Sequence, residues 1–195
     1  MHQPSYVIAL LFTGLLQAAE SNPLWNRLRG QNGSGVASES KPPVQVDSAK
    51  PTWKTSISVG HSSPVLSDKL IFLTGIEDGR LNTYAYDKAN GKRIWQRKAP
   101  EVKLERVHKA NSHAAPTPVV DGKRIFVYFG SLGVLCYDRT GKEIWQKRLP
   151  VLRTLYGTSS SPISYRDLII IVLDDDNNLP GSRLSRSKIV ALKKT

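Results

Sequence analysis

Cysteine is nearly absent from this chain of 195 residues, in which Cys136 is the only one. A single cysteine excludes an intrachain disulfide and a zinc site built from several thiolates. Because Cys136 stands in an apolar alternation, we expect a buried thiol without a chemical role.

Long apolar runs are also missing. The longest, residues 7–16, is shorter than the roughly 20 residues that a membrane helix needs. Ala18 and Ala19 follow it, which is the layout of a secretory signal peptide. We therefore expect residues 1–19 to be a signal peptide, the protein to be exported to the periplasm or beyond, and no segment to span a membrane. No cysteine follows the run, so a bacterial lipid anchor is not expected.

Acidic residues are few, with 16 Asp and Glu against 28 Lys and Arg, for a formal net charge of +12. Such an excess favours an anionic partner or environment. The basic residues are spread out, however, and the densest run, residues 88–109, also contains Glu101 and Glu105. No nucleic-acid motif is present. We predict a solvated basic surface without specific nucleic-acid binding. The alternative is a role at an anionic surface, such as a polysaccharide or a nucleic acid bound through the positive charge.

Helical periodicity is absent after residue 20. Residues 20–52 are rich in Gly, Ser, Pro and Asn and are predicted to form an extended, irregular lead-in. From Trp53 onward, short β-branched and aromatic runs alternate with turn residues, as in KLIFLTG, RIFVYFG and DLIIIVL. These runs predict the strands of an all-β protein.

The strands recur in a repeated unit. Pro64, Pro118 and Pro162 each precede an apolar strand, a polar turn and a second apolar strand, and Trp95 and Trp145 lie in two matching later strands. A period of roughly 40–55 residues with four short strands is the signature of a propeller blade. We predict a partial β-propeller of about three four-stranded blades, at residues 57–98, 113–148 and 157–195.

One phrase inside the repeat explains how blades could stack. It reads AYDKANGKRIW from Ala85 and CYDRTGKEIW from Cys136. The aspartate can accept hydrogen bonds from turn amides, and the glycine supplies a positive φ. The tryptophan offers a large ring to cover the neighbouring blade. We therefore assign a structural docking role, and no catalytic role, to Asp87, Gly91, Trp95, Asp138, Gly141 and Trp145.

These phrases resemble the tryptophan-docking repeats of quinoprotein-like propellers, the pyrroloquinoline-quinone repeat family. A partial third copy begins at Ala191, with Lys193 where aspartate is usual. Residues 25–37, WNRLRGQNGSGVA, also resemble the lead-in of exported propellers that are common in planctomycetes. The resemblance specifies the fold and carries little information about function.

The family contains quinone-dependent dehydrogenases and an outer-membrane assembly lipoprotein. The alcohol dehydrogenases of the family bind their quinone beside an adjacent cysteine pair, whereas this chain has Cys136 alone. It also lacks the cysteine that is acylated in the lipoprotein. We expect a non-catalytic binding or scaffold module with a protein or polysaccharide partner. The alternative is a fragment of a quinone-dependent dehydrogenase, with pyrroloquinoline quinone and calcium bound in blades that this chain lacks.

The number of blades is itself informative. Propellers of this kind close with roughly eight blades, and residues 53–195 suffice for about three. We expect a truncated or partial propeller with two bare sheet faces and low stability as a monomer. Its partners would then include the remaining blades, and assembly of several copies into one ring is an alternative.

Two groups of side chains are candidates for ligand binding. His61 and His113 each stand three residues before a proline and could converge at the channel mouth on a metal or an anion; the competing interpretation is packing where a strand begins. Asp174, Asp176 and Asn178 alternate as at the start of a calcium loop, but the glycine and distal glutamate of that loop are missing. We favour a solvated loop. No nucleophile, phosphate-loop or dinucleotide motif is present.

Overall fold

The computed structural model describes residues 25–37, 41, 43–47, 50–176 and 187–195. The predicted signal peptide and Asn178 lie outside these residues. The described part contains eleven strands and one 3-10 turn, Gln31–Gly33. Within it, no helix is long and apolar enough to cross a membrane.

The strands form three antiparallel sheets, which we call blades 1, 2 and 3. Blade 1 has the order β1 (Val65–Leu66), β2 (Leu70–Glu77), β3 (Arg80–Asp87) and β4 (Arg93–Lys98). Blade 2 has β5 (Val119–Asp121), β6 (Arg124–Phe129), β7 (Gly133–Asp138) and β8 (Glu143–Arg148) in the same order. Blade 3 has three strands, β9 (Ile163–Tyr165), β10 (Leu168–Leu173) and β11 (Lys188–Lys193), with β10 in the centre. The predicted all-β, partial-propeller fold is confirmed.

Blade 2 is buried on both faces because its strands alternate between two cores. Ile125 and Val127 belong to the core shared with blade 1, whereas Phe126 and Tyr128 belong to the core shared with blade 3. Successive side chains of a strand point to opposite faces, so β6 is hydrophobic from Ile125 to Phe129 rather than alternating with polar residues. Cys136 is fully buried in the second core, and burial raises the pKa of its thiol to about 12.

The blades radiate from their first strands. β1 lies beside β5, and β5 lies beside β9. The outer strands of blades 1 and 2 are solvated, since Ile94 on β4 and Ile144 on β8 are exposed. The three sheets therefore form an arc with β1, β5 and β9 on the inside.

The expectation of two bare outer faces is wrong for blade 1. Residues 53–60 lie over its outer face, where Tyr84 is fully buried and its hydroxyl donates to Ser58 Oγ at 2.7 Å. Val59 forms a bridge with Ile76. Blade 3 does have an open face, because Ile163, Tyr165, Val172 and Ile189 are all exposed on strands that carry other side chains into the core. Among the residues that the structure describes, the arc is thus capped at one end only.

The lead-in links the inner strands β1 and β5 by hydrogen bonds, a role that its irregular sequence did not predict. Trp25 O accepts a hydrogen bond from Leu66 N at 2.8 Å. Asn26 O accepts from Val120 N at 2.8 Å, and Asn26 Nδ2 donates back to Val120 O at 3.1 Å. Two adjacent residues thus join the free edges of β1 and β5, and backbone groups that would otherwise be unpaired are satisfied.

Candidate binding site

The aspartate turns of the repeated phrase are held by their own carboxylates. Asp138 Oδ1 accepts from Thr140 N at 2.8 Å, from Thr140 Oγ1 at 2.6 Å and from Lys142 N at 2.9 Å. The hydrogen bond from the Thr140 hydroxyl is the main reason that the pKa of Asp138 lies below its ordinary value. Gly141 has a φ of 81°, in the region that favours glycine.

In the first copy of the phrase, an asparagine provides one of the hydrogen bonds that hold the turn. Asp87 Oδ1 accepts from Ala89 N at 2.8 Å and from Asn90 N at 3.2 Å. Asn90 Oδ1 then accepts from Lys92 N at 2.9 Å, a donor that Asp138 satisfies itself in the second copy. The extra turn residue is therefore accommodated by a second Asx-type hydrogen bond.

Each tryptophan of the repeat docks on the turn of the next blade. Trp95 Nε1 donates to Arg139 O at 2.9 Å, and its ring closes over Gly141, where a Cβ would lie 2.8 Å from the indole. Trp145 Nε1 donates in the same way to Lys194 O at 2.9 Å. Trp95 is 6% exposed, so the indole is part of the core between blades 1 and 2.

Trp53 is a third docking tryptophan that the sequence analysis did not assign. Its Nε1 donates to Lys88 O at 3.1 Å, and a Cβ on Gly91 would lie 2.4 Å from its ring. Lys88 immediately follows the turn aspartate Asp87, as Arg139 follows Asp138. The available signal was the spacing of Trp53 and Trp95, which is close to the repeat length.

A ladder of hydroxyl groups joins the blades near the inner strands. Ser63 N donates to Thr117 Oγ1 at 3.0 Å, and Thr117 N donates to Ser161 Oγ at 2.9 Å. Each of these residues directly precedes the proline at the start of an inner strand. The Ser/Thr-Pro pattern therefore has an inter-blade function in addition to beginning a strand.

The hydroxyl ladder also corrects the proposed equivalence of the two histidines. Since Ser63 corresponds to Thr117, the counterpart of His61 in blade 2 is Ala115 rather than His113. The His113 Nε2–H group donates to Glu105 O at 2.8 Å, which fixes the ring on the backbone of its own connector. His61 is exposed. Within the described residues, no three His, Cys, Asp or Glu side chains form a group that could hold a metal ion.

Glu105 occupies the contact between blades 2 and 3. Its Oε2 accepts from Thr158 Oγ1 at 3.0 Å, and its amide donates to Ser131 Oγ at 2.9 Å. Its Oε1 is buried without a hydrogen-bond partner in the described structure, beside Gly130, where a Cβ would lie 2.2 Å away. Burial raises the pKa of Glu105, and the Thr158 hydrogen bond offsets this only in part.

Two depressions lie near Glu105, on the side of the arc that we call the connector face. It consists of residues 99–118, 149–162 and 174–176, which link or follow the strands. One cavity of about 170 Å³ is lined by hydroxyl-bearing and acidic residues, including Tyr128, Thr154, Tyr156, Thr158 and Asp174. A groove of about 330 Å³, the connector groove, is lined by Glu105, Arg106, Val151, Leu152, Arg153, Thr154, Leu155 and Asp176.

The predicted calcium-loop residues are used in holding the connectors. Asp176 Oδ2 accepts from Leu155 N at 2.9 Å, and Asp176 N donates to Arg153 O at 2.9 Å. Asp174 Oδ2 accepts from Ser160 Oγ at 3.5 Å. These contacts position the loop that carries Leu155, and Asn178 lies outside the described residues.

No tryptophan lines the cavity or the groove, so neither offers an indole wall for a planar quinone. Asp174 and Asp176 line the cavity, whereas the groove also carries Arg106 and Arg153. Within the described residues, these carboxylates do not belong to a group of three candidate metal ligands. The connector face is suited to hydrogen bonding and apolar contact.

The docking tryptophans, the aspartate turns and the converging first strands define an arc of a tryptophan-docked β-propeller. A family model described as Outer membrane protein assembly factor BamB matches residues 35–173, and the chain belongs to this family. A comparison with curated protein sequences finds no match.

Three solved structures are similar to this chain. A europium-containing methanol dehydrogenase is 15% identical, with a TM-score of 0.51 over 71% of this chain and 24% of the other. BamB from Moraxella catarrhalis is 14% identical, with a TM-score of 0.41 over 55% and 29%. Quinohemoprotein alcohol dehydrogenase ADHIIG from Pseudomonas putida HK5 is 19% identical, with a TM-score of 0.44 over 62% and 18%. This chain spans about a quarter of the methanol dehydrogenase.

Proposed function

We propose that the chain is an exported, non-catalytic binding module that presents its connector face to a protein partner. The observation that carries the proposal is the connector groove, beside which Val151, Leu155 and Tyr156 expose 50%, 70% and 56% of their surface. Clustered apolar side chains with a polar rim are typical of interaction sites. Asp174, Asp176 and one carboxylate oxygen of Glu105 accept hydrogen bonds that fix the connectors, which supports a binding role for this face.

The charges around the groove favour a protein over a neutral surface. Arg106 and Arg153 line it together with Glu105 and Asp176. Mixed charges around an apolar centre match the polar rim and apolar core of protein interfaces. The family description, which names an outer membrane protein assembly factor, supports a protein partner and an exported location. A polysaccharide is the alternative ligand, and Tyr156, packed edge-on against His108 with ring centroids 5.0 Å apart, offers a ring for it.

Site-specific photocrosslinking in the native host tests the proposal. A photoreactive phenylalanine analogue at Leu155 should yield a defined adduct with one protein, identified by mass spectrometry. The same analogue at Ile94, which is exposed on β4 away from the connector face, is the matched control. Equal adducts from both positions, or none from Leu155, would contradict a protein-binding role for this face.

The competing proposal is a segment of a quinone-dependent dehydrogenase whose active site lies in other blades. The fold likeness to methanol dehydrogenase supports it at the level of architecture alone. The DNA sequence just downstream of this gene tests it. Further tryptophan-docking repeats that include an adjacent cysteine pair would support this alternative, whereas further repeats without that pair would contradict it.

A further inference from the structure

Short turns of the blades gather on the side of the arc opposite to the connector face. In blade 1, the turn between β1 and β2 lies beside the turn between β3 and β4, since Lys88 N donates to Lys69 O at 2.8 Å. The connectors lie at the other ends of the same antiparallel strands. We call this side the turn face, and it comprises residues 27–30, 67–69, 87–93, 121–124, 138–143 and 166–167.

Contacts between the blades and the lead-in make the turn face continuous. Arg139 Nη1, on a turn of blade 2, lies 3.5 Å from Asp68 Oδ2 on a turn of blade 1. The same guanidinium donates to Gly122 O at 3.0 Å. The lead-in joins this side because Trp25 O accepts a hydrogen bond from Leu66 N, directly before the first turn of blade 1. Charged side chains of separate elements are therefore held in one surface.

Positive charge is concentrated on the turn face. Its residues include eleven Lys and Arg against six Asp and Glu, whereas the connector face has four against five. The carboxylates of Asp87 and Asp138 are engaged by the amides of their own turns. The exposed cations come from all three blades and the lead-in, and they include Arg29, Lys69, Lys88, Lys92, Lys142 and Arg166. The turn face is therefore suited to an anionic partner.

An exposed apolar side chain accompanies these cations. Leu28 stands between Arg27 and Arg29 and is 41% exposed. The loop that follows is closed by a hydrogen bond from Gly35 N to Arg29 O at 2.8 Å. At an anionic lipid surface, cations attract the headgroups while an apolar side chain inserts toward the acyl chains. Soluble polyanions offer an exposed leucine no such apolar layer, so the combination favours lipid.

We propose that the turn face binds an anionic lipid surface, with Leu28 inserted between the headgroups that Arg27 and Arg29 contact. The cations lie on separate blades, so they match negative charges that are dispersed over a plane rather than one phosphate group. Contact through the turn face leaves the connector groove directed away from the lipid. Lipid binding is therefore compatible with the protein partner proposed above and does not depend on it.

Cosedimentation of the full chain with phospholipid vesicles gives the first test. We expect binding to phosphatidylcholine vesicles that contain phosphatidylglycerol, weaker binding at higher salt because salt screens exposed charges, and little binding to phosphatidylcholine alone. Lys88→Glu combined with Lys92→Glu reverses two exposed charges of the turn face and should weaken binding by about tenfold or more. Lys103→Glu combined with Lys109→Glu makes the same change in net charge on the connector face and should leave binding nearly unchanged. Circular dichroism checks that each variant keeps its strand content.

A fluorophore reports which side of the arc enters the lipid. Leu28→Cys protein labelled with an environment-sensitive dye should emit at shorter wavelength on the anionic vesicles. Labelled Leu155→Cys, which is exposed on the connector face, should not change. The native Cys136 is fully buried and stays unlabelled. Leu28→Ser should reduce the binding that persists at high salt, where the apolar contribution remains.

The proposal would be overturned by an absence of binding, by equal binding to vesicles with and without phosphatidylglycerol, or by equal losses from the two double variants. Equal dye shifts at the two labelled positions would overturn it as well. Duplex DNA serves as the soluble polyanion for comparison. If it binds more tightly than the anionic vesicles do, and Leu28→Ser changes neither affinity, the turn face is a site for a soluble polyanion and the proposal is wrong.

Discussion

The indole nitrogen of Trp95 lies 2.9 Å from the carbonyl oxygen of Arg139, which is 44 residues away on the turn of the next blade. The same bond recurs from Trp53 to Lys88 and from Trp145 to Lys194. Because the bond joins successive blades in one direction only, the order of the sheets along the arc follows from it.

Trp95→Ala should destabilise the chain strongly. The change removes an indole that packs 5.8 Å from Phe72 and 6.1 Å from Tyr137 between ring centroids. Truncation of a buried aromatic typically costs about 3–5 kcal/mol. Trp95→Phe, which keeps a ring and loses the hydrogen bond, should cost less. Urea unfolding followed by circular dichroism gives both values, and equal losses would show that the ring packing is unimportant.

Gly91→Ala and Gly79→Ala form a matched pair. Their φ angles are 71° and 70°, so the backbone strain of an alanine, about 1–2 kcal/mol, is nearly the same at both positions. A Cβ on Gly91 also meets the Trp53 ring at 2.4 Å, whereas a Cβ on Gly79 meets nothing within 4 Å. We expect Gly91→Ala to lower the unfolding free energy clearly more than Gly79→Ala. Equal effects would argue against tight docking of Trp53.

Thr117→Val tests the hydroxyl ladder. Valine preserves the shape of this buried side chain but leaves Ser63 N without its acceptor, and an unsatisfied buried donor costs about 1–3 kcal/mol. Thr117→Ser keeps the hydroxyl and should restore most of the loss. Amide hydrogen exchange at Ser63 reports the bond directly. Its protection should fall in the valine variant and persist in the serine variant.

Glu105 gives stability an unusual pH dependence. Burial raises its pKa above the ordinary 4.5, so the folded state holds the proton more tightly than the unfolded state does. Its contribution to stability is therefore present below pH 4.5 and is lost as the pH rises through the folded-state pKa. Glu105→Gln cannot titrate and should remove this trend. Unfolding free energies of both proteins between pH 4.5 and 7 measure the difference, and parallel profiles would contradict the assignment.

The repeat made the fold predictable because its phrases occur in register and alternate with the period of a strand. The hydroxyl ladder and the role of Trp53 depend on which blades face each other, and local periodicity contains no such information. Glu105 lies in a basic run that suggested a solvated surface. Its burial follows from contact with Thr158, which is 53 residues away. The sequence predicted equivalent positions for His61 and His113 because each stands three residues before a proline. Pro64, which follows His61, begins an inner strand, whereas the proline that follows His113 does not.

The bond between Asn26 and Val120 spans 94 residues. During synthesis, Asn26 leaves the ribosome long before β5 is made, and all of blade 1 is synthesised before Val120 is available to bond with it. Contacts of such separation close late, because the entropy of a long intervening loop is lost before they form. The lead-in therefore makes its bonds to β1 and β5 only after blade 2 has begun to fold. Deletion of residues 25–27 should lower the unfolding free energy without separating blades 1 and 2, which still share a core and the bond from Trp95 to Arg139.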